Sequence, residues 1–258
     1  MLVHGFPQHW WEWRHQIGPL AADGVRVIVP DLRGAGWSDA PRGPYFKADM
    51  GEDLAAVIDE LGVGPVKLAA HDWGGPPAFF LAMRHPDKVT GFLGVNTIAP
   101  TVKVDLKTLL NTWTLWYQFV LLLPIIGPRI LRSRRRRFVR LLVRWVGGGY
   151  TWSPQDEDIF LARFQDRARG EAVSQWYRTF QLRELWSWMG SKHMSTPVDI
   201  PLRWVTGTDD PVITSVVHRS HRDLSANNEF EEVPAVGHWI VEQAPELVLD
   251  RLRALISR

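Results

Sequence analysis

The sequence predicts an α/β protein, a mostly parallel sheet flanked by helices and interrupted by an all-helical insertion. Three observations lead there. Short apolar runs rich in β-branched residues alternate with segments whose apolar residues fall at helical spacing, the pattern of a sheet covered on both faces. That alternation stops near Pro100 and resumes near Leu202. The composition is globular: of 258 residues, 45% are hydrophobic and 22% charged, with 21 Gly and 18 Pro, which excludes disordered, collagenous and coiled-coil chains.

The chain opens on Met1-Leu2-Val3, running straight into His4-Gly5-Phe6-Pro7. Residues 25–29 (VRVIV), ending at Pro30-Asp31, read as a strand, and so do 66–70 (VKLAA), ending at His71-Asp72. Between them, Leu54, Val57, Ile58 and Leu61 recur at helical spacing from Asp49 and stop at Gly62 and Gly64. Pro76-Pro77 open an apolar helix through Leu81 and Met83 that ends at His85-Pro86. Residues 89–95, 202–206 and 230–233 supply three more strands. The stretch between Pro100 and Pro197 holds seven of the fourteen Trp and a dense set of Arg, with little strand character. The expected organisation is a core from 1–99, a helical cap over 100–197, and the rest of the core over 198–258.

Several classes fall away on composition. A net charge of +2 is too small to mark the whole chain as a nucleic-acid binder. Without cysteine there are no disulfides, thiol nucleophiles or cysteine metal sites. The longest apolar run, 119–126 with Pro124 inside it, is far short of the ~20 residues of a membrane-spanning helix, and the N-terminus lacks the pattern of a signal peptide. The expected setting is the cytosol.

Ala70-His71-Asp72-Trp73-Gly74-Gly75 joins an expected strand directly to an expected helix. Small residues at 70, 74 and 75 suit a sharp turn that thrusts its apex, Asp72, out at the carboxyl end of the sheet. An aspartate here also reads as a plain helix N-cap, and the turn alone does not choose. The rest of the chain does. Gly207-Thr208-Asp209-Asp210 and Gly237-His238-Trp239 both follow strands, so nucleophile, acid and base occur in the order Asp72, Asp210, His238. Of nine histidines, His238 alone combines a Gly-His setting, a position after a strand and this order.

His4-Gly5-Phe6-Pro7, residues 31–38 (DLRGAGWS), His71-Asp72-Trp73-Gly74-Gly75, the segments around Trp116-Tyr117 and Trp176-Tyr177-Arg178, and Gly237-His238-Trp239 together resemble the α/β-hydrolase superfamily. The resemblance is to its epoxide hydrolase branch, most closely the mycobacterial EphF-like type. It implies a two-step reaction: Asp72 attacks an epoxide carbon to leave an ester, and His238, oriented by Asp210, activates the water that hydrolyses it. By the same resemblance, the backbone N–H groups of Phe6 and Trp73 form an oxyanion hole, and the cap tyrosines Tyr177 and Tyr117 donate to the opening oxygen. Tyr150 competes with Tyr117 for the second position. The family's Gly-x-x-Asp spacing selects Asp210 over Asp209. Asp31 and Arg33 read as loop organisers. The implied reactants are a small apolar epoxide and water, with no cofactor and no metal. The Trp surplus suggests an apolar substrate cavity lined by Trp113, Trp116, Trp176 and Trp239, although an ordinary cap–core interface would look the same.

A haloalkane dehalogenase is the nearest enzymatic alternative, but Phe6 stands where those enzymes usually carry a halide-binding Asn. A non-catalytic binding protein or an impaired fragment is the alternative of another kind. The resemblance implies an eight-stranded sheet with His4-Gly5 after the third strand, so the first two strands have no residues here and an uncovered edge is expected beside 25–29. Oligomeric state is left open. Finally, Arg129, Arg132, Arg134, Arg135, Arg136, Arg137, Arg140 and Arg144, with Lys107, occur with no Asp or Glu from Leu106 through Gln155. The four-residue recurrence of Arg132, Arg136, Arg140 and Arg144 predicts one basic helix face, with Leu131, Phe138, Leu142 and Trp145 on another. A solvated face is the plain reading, and peripheral contact with an anionic membrane the sharper one.

Overall fold

The computed structural model describes residues 1–100, 112–189, 198–214, 217, 221 and 224–257. Five parallel strands form one sheet, β1 (Leu2–Val3), β2 (Val66–Asp72), β3 (Val89–Thr97), β4 (Leu202–Gly207) and β5 (Asn228–Val233), neighbours in space as in sequence. The central strands are nearly continuously apolar because helices cover both faces. On one face lie α2 (Lys47–Glu60) and α3 (Gly75–Arg84), which bury Met50, Leu54, Ile58, Phe79 and Leu81. On the other, α1 (Arg14–Ala22) and the C-terminal helix Pro245–Ile256 pack Leu20, Val248, Leu249 and Leu252 against Leu2, Ala69, Leu93 and Val205. α2 starts two residues before Asp49 and ends where Gly62 takes a φ of 58°. α3 carries prolines in its first turn, where the missing N–H costs nothing.

Residues 25–29 depart from the expected pattern. Val25, Val27 and Val29 pack against one core and Ile28 against the other, the alternation of an extended chain, and Leu2 N–H donates to Ile28 O at 2.8 Å. The segment nevertheless forms no strand of the sheet. Its neighbour β1 is only two residues long and takes its ladder from β2, where Leu2 pairs Ala69 and Val3 pairs Ala70.

Between β3 and β4 every described element is helical: Trp116–Leu121, Ile126–Leu131, Arg137–Val146, Pro154–Ala162 and Arg167–Thr179, the last continued by a π-helical turn, Phe180–Glu184, and by Leu185–Met189. The expected single basic helix face is not formed. Arg132 caps the end of Ile126–Leu131, and Arg136, at a φ of 52°, breaks the chain before Arg137–Val146 begins. Lys107 and both ends of the insertion lie outside the described residues. No helix among the described residues is long and apolar enough to cross a membrane.

Candidate active site

Asp72 closes β2 and takes a φ of 46°, the left-handed conformation of a sharp turn, which is strained for a residue with a side chain. The turn works because its neighbours are small. A Cβ on Gly74 would come within 2.5 Å of His4 O, and one on Gly5 would collide with the Asp72 side chain. Thr97 Oγ donates to Asp72 O at 2.5 Å and holds the turn from β3.

Around this apex the sequence-expected residues converge. Asp72 Oδ1 accepts from Phe6 N–H at 2.7 Å, and the Trp73 N–H also bonds the carboxylate. Its Oδ2 lies 3.2 Å from His238 Nε2, and His238 Nδ1 lies 2.7 Å from Asp210 Oδ2. Asp210 is oriented in turn by the Val212 and Ile213 N–H groups, at 2.7 and 3.0 Å on Oδ1. Asp209 bonds Thr208 at the surface and does not reach His238. The Asp72 side chain is only 10% exposed, and those of His238 and Asp210 are buried. Burial opposes ionisation of Asp72, yet the His238 hydrogen bond and charge, His71 and the Trp73 N–H together hold its carboxyl below the usual range. Burial pulls His238 down, but Asp210 and Asp72 outweigh it and push it up to about 10.

Two buried tyrosines from the insertion lie within the field of the carboxylate. The Tyr177 ring meets Phe6 and Trp73 edge-on, each at 5.4 Å, and the Tyr117 ring lies 6.1 Å from it. Burial first, then Tyr117 and the Asp72 charge, raise the Tyr177 phenol well above its ordinary value. Tyr117 is raised likewise by burial and by Asp72. Tyr150 is elsewhere, in the electrostatic surroundings of Arg14, Glu242 and Asp156.

The tryptophans divide differently from the expectation. Trp113 and Trp116 are exposed and pack with Trp145, because the helix Trp116–Leu121 turns Tyr117 and Leu121 inward and so directs Trp116 out. Trp186 is exposed as well. Trp176 is buried at the junction of core and insertion, its indole donating to Arg33 O at 3.1 Å. Trp239 packs 5.0 Å from the His238 ring, with its N–H bound to Val143 O. Asp31 does organise its loop, accepting from Trp10 and Trp37 N–H at 2.8 Å each, while Arg33 pairs with Asp53.

Three supporting residues, Asn96, Glu12 and Lys47, carry no sequence signal. Asn96 sits at a register shift between β2 and β3, where His71 pairs Val95 but Asp72 pairs Thr97. Its φ is 38°, and its buried amide donates to Gly237 O (2.8 Å) and His238 O (2.9 Å) and accepts from Gly207 N–H (2.8 Å). His71 Nε2 donates to the same His238 O at 2.9 Å, while its Nδ1 lies 2.8 Å from the buried Glu12 carboxylate. Lys47 is fully buried. It donates to Tyr45 O and Trp176 O, pairs with Glu184 at 3.2 Å, and sits 4.9 Å above the Trp73 ring, linking core to insertion. The insertion also reaches the histidine loop: His238 N–H donates to Val146 O at 3.0 Å, and Gly237 packs directly on Gly147.

Comparison with known proteins agrees with this geometry. The family model described as alpha/beta hydrolase fold matches residues 1–245. The chain is 39% identical over its whole length to Epoxide hydrolase 3 of Xenopus tropicalis, spanning 71% of that protein. A 98-residue stretch, 37% of the chain, is 40% identical to Epoxide hydrolase B of Mycobacterium tuberculosis (strain ATCC 25618 / H37Rv) and to Epoxide hydrolase 3 of Siraitia grosvenorii, where it spans 28% and 31% of those proteins. The solved structure titled epoxide hydrolase CorEH superposes with a TM-score of 0.85 at 24% identity, covering 99% of this chain and 90% of that one, a likeness of fold. The chain therefore belongs to the alpha/beta hydrolase fold family, in its epoxide hydrolase branch.

Proposed function

We propose that this protein hydrolyses an apolar epoxide to a vicinal diol through an ester on Asp72. The observation that carries the reading is one continuous line of contacts, Asp210 to His238 to Asp72, with Phe6 and Trp73 N–H groups on the carboxylate and two buried phenols within reach of its charge. Residues 1–99 and 198–258 act as the core that holds the line, and 100–197 as the cap that supplies the phenols.

In the first step Asp72 Oδ2, the oxygen not bound by Phe6, attacks an epoxide carbon. The C–O bond breaks and the released oxygen takes a proton from Tyr177 or Tyr117. Phenols buried this deeply stay protonated at neutral pH, so each can donate to the developing alkoxide. Esterification removes the Asp72 charge, one of the causes that raise His238, and so returns the imidazole toward the range where it accepts a proton. His238 then takes a proton from water as the oxygen attacks the ester carbonyl. The oxyanion forms on Oδ1, already bonded by the Phe6 N–H, with the Trp73 N–H as the second donor to this carboxyl group. Collapse releases the diol, regenerates the carboxylate with one oxygen from water, and the His238 proton returns to the tyrosinate.

The Phe6 side chain packs on Tyr177 and Phe164 and offers no donor to a departing halide. The test is a single turnover of styrene oxide in ¹⁸O water, followed by mass spectrometry of the Asp72 peptide. Label in Asp72 together with diol supports the ester route. Diol with no label in Asp72 refutes it, and no diol at all refutes the hydrolase reading.

A further inference from the structure

The insertion carries a surface that the proposed chemistry does not use. Trp113, Ile125, Leu141 and Phe119 are 66, 60, 59 and 56% exposed, and Trp116 and Ile126 are exposed beside them. Trp113, Trp116, Phe119 and Leu141 gather into one patch around Phe138 and Trp145, and Ile125 and Ile126 are exposed at the start of the next helix, Ile126–Leu131. The Trp116 ring meets the rings of Phe138 and Trp145 at 5.8 and 6.3 Å, and Trp113 meets Trp145 at 6.4 Å. Phe119 lies one helical turn from Trp116, and Leu141 lies between Phe138 and Trp145 on one helix face. An exposed apolar patch of this extent on a folded domain marks a contact surface.

The rim is basic. Arg137 and Arg144 flank Leu141 on its own helix face, Arg129 follows Ile126 by one turn, and Arg134 and Arg135 are exposed in the connection between these helices. Arg136 and Arg140 turn away to Glu157 and Asp158. Arg129, Arg134, Arg135, Arg137 and Arg144 take part in none of the ion pairs found among the described residues.

We propose that this face docks on an anionic lipid bilayer, with the apolar side chains at the acyl boundary and the five arginines among the headgroups. The charge distribution selects this occupant. In a dimer of this chain, an isologous contact would press the same arginines against each other. An anionic bilayer meets both halves of the patch, offering hydrocarbon to Ile125, Ile126 and Leu141 and phosphate to the guanidinium rim. Trp and Phe at the centre match the residues that favour the headgroup level. The helix that exposes Trp116 and Phe119 also buries Tyr117. A bilayer-bound protein would therefore present the tyrosine side of its site close to the phase where apolar molecules concentrate. The docking itself does not depend on the proposed reaction.

The test is co-sedimentation of the full chain with vesicles of phosphatidylcholine alone and of equimolar phosphatidylcholine and phosphatidylserine. Binding is expected to the mixed vesicles, to weaken as salt is raised, and to be slight on phosphatidylcholine. Replacing Arg134→Gln and Arg137→Gln together should weaken it about 25-fold, about fivefold per arginine. Leu141→Asn should weaken it while leaving the salt dependence in place. Thermal unfolding of each variant shows that the fold is retained. Equal binding to both vesicles, no binding, or binding unchanged in the arginine variant overturns the proposal. So does a dimer in sedimentation velocity that Leu141→Asn dissociates.

Discussion

Replacing Asn96 by Ala should destabilise the protein strongly although the residue is neutral and takes no part in the proposed chemistry. The amide makes three hydrogen bonds to backbone groups of the β4 end and the histidine loop, all buried. At about 1 kcal/mol net for each bond, and about 1 kcal/mol more for Ala at a φ of 38°, the loss comes to about 4 kcal/mol. For a chain of this length that is roughly 8–16 °C in unfolding temperature, measurable by calorimetry. Two companions separate the contributions. Asn96→Gly relieves the backbone strain and should recover about 1 kcal/mol of the loss. Asn96→Asp keeps an acceptor for Gly207 N–H but faces a carboxylate with two carbonyl oxygens, so it should be worse than Ala. An Asn96→Ala protein that unfolds within a degree or two of the parent would refute the account, as would an Asp variant more stable than the Ala one.

Other perturbations test the chemistry. His238→Gln should leave ester formation intact but slow its hydrolysis by about 10²–10⁴-fold, so intact-mass spectrometry should find one substrate equivalent trapped per chain. Tyr177→Phe or Tyr117→Phe should each slow ester formation, the double variant far more than either, while hydrolysis of a preformed ester changes little; stopped-flow tryptophan fluorescence separates the steps. The two steps should also differ in pH dependence. Ester formation needs a charged Asp72, held low, and protonated phenols, held high, so it should be flat across neutral pH. Ester hydrolysis needs neutral His238 and should rise with pH toward a value below the about 10 of the free enzyme, because the Asp72 charge is gone. Lys47→Met should cost about 3–5 kcal/mol by leaving the buried Glu184 without its cation, and adding Glu184→Gln should restore part of that in denaturant titrations.

What the sequence made legible follows from how local each signal is. The strands of the sheet and the α3 helix are written in contiguous runs, so β2 to β5 and the Pro76-Pro77 start emerge with ends displaced by a few residues. Asp72 and His238 are legible because each sits on a turn whose glycines carry a pattern. Residues 25–29 have strand composition, yet strand formation depends on a partner, and β1 offers only two residues. The arginine recurrence predicts one helix because spacing does not show a break; Arg136 in a left-handed conformation makes the break. Trp113 and Trp116 misled because exposure is decided by which neighbour turns inward, here Tyr117. Asn96, Glu12 and Lys47 carry no motif at all. Apart from Gly5 near Glu12 and Tyr45 and Trp73 near Lys47, their partners lie 59 to 142 positions away along the chain, and only the fold joins them.

The bond from His238 N–H to Val146 O, with Gly237 lodged against Gly147, bears on how such enzymes can be rebuilt. The histidine loop has one wall made of the insertion itself, with no spacer that would let the two be exchanged separately. A chimera that keeps this core but carries a foreign cap would inherit intact strands and an intact aspartate turn, while His238 would lose a backbone anchor. Cap swaps aimed at new substrates should therefore carry the 143–149 segment across unchanged, and libraries are better confined to the surface around Tyr117 and Phe180.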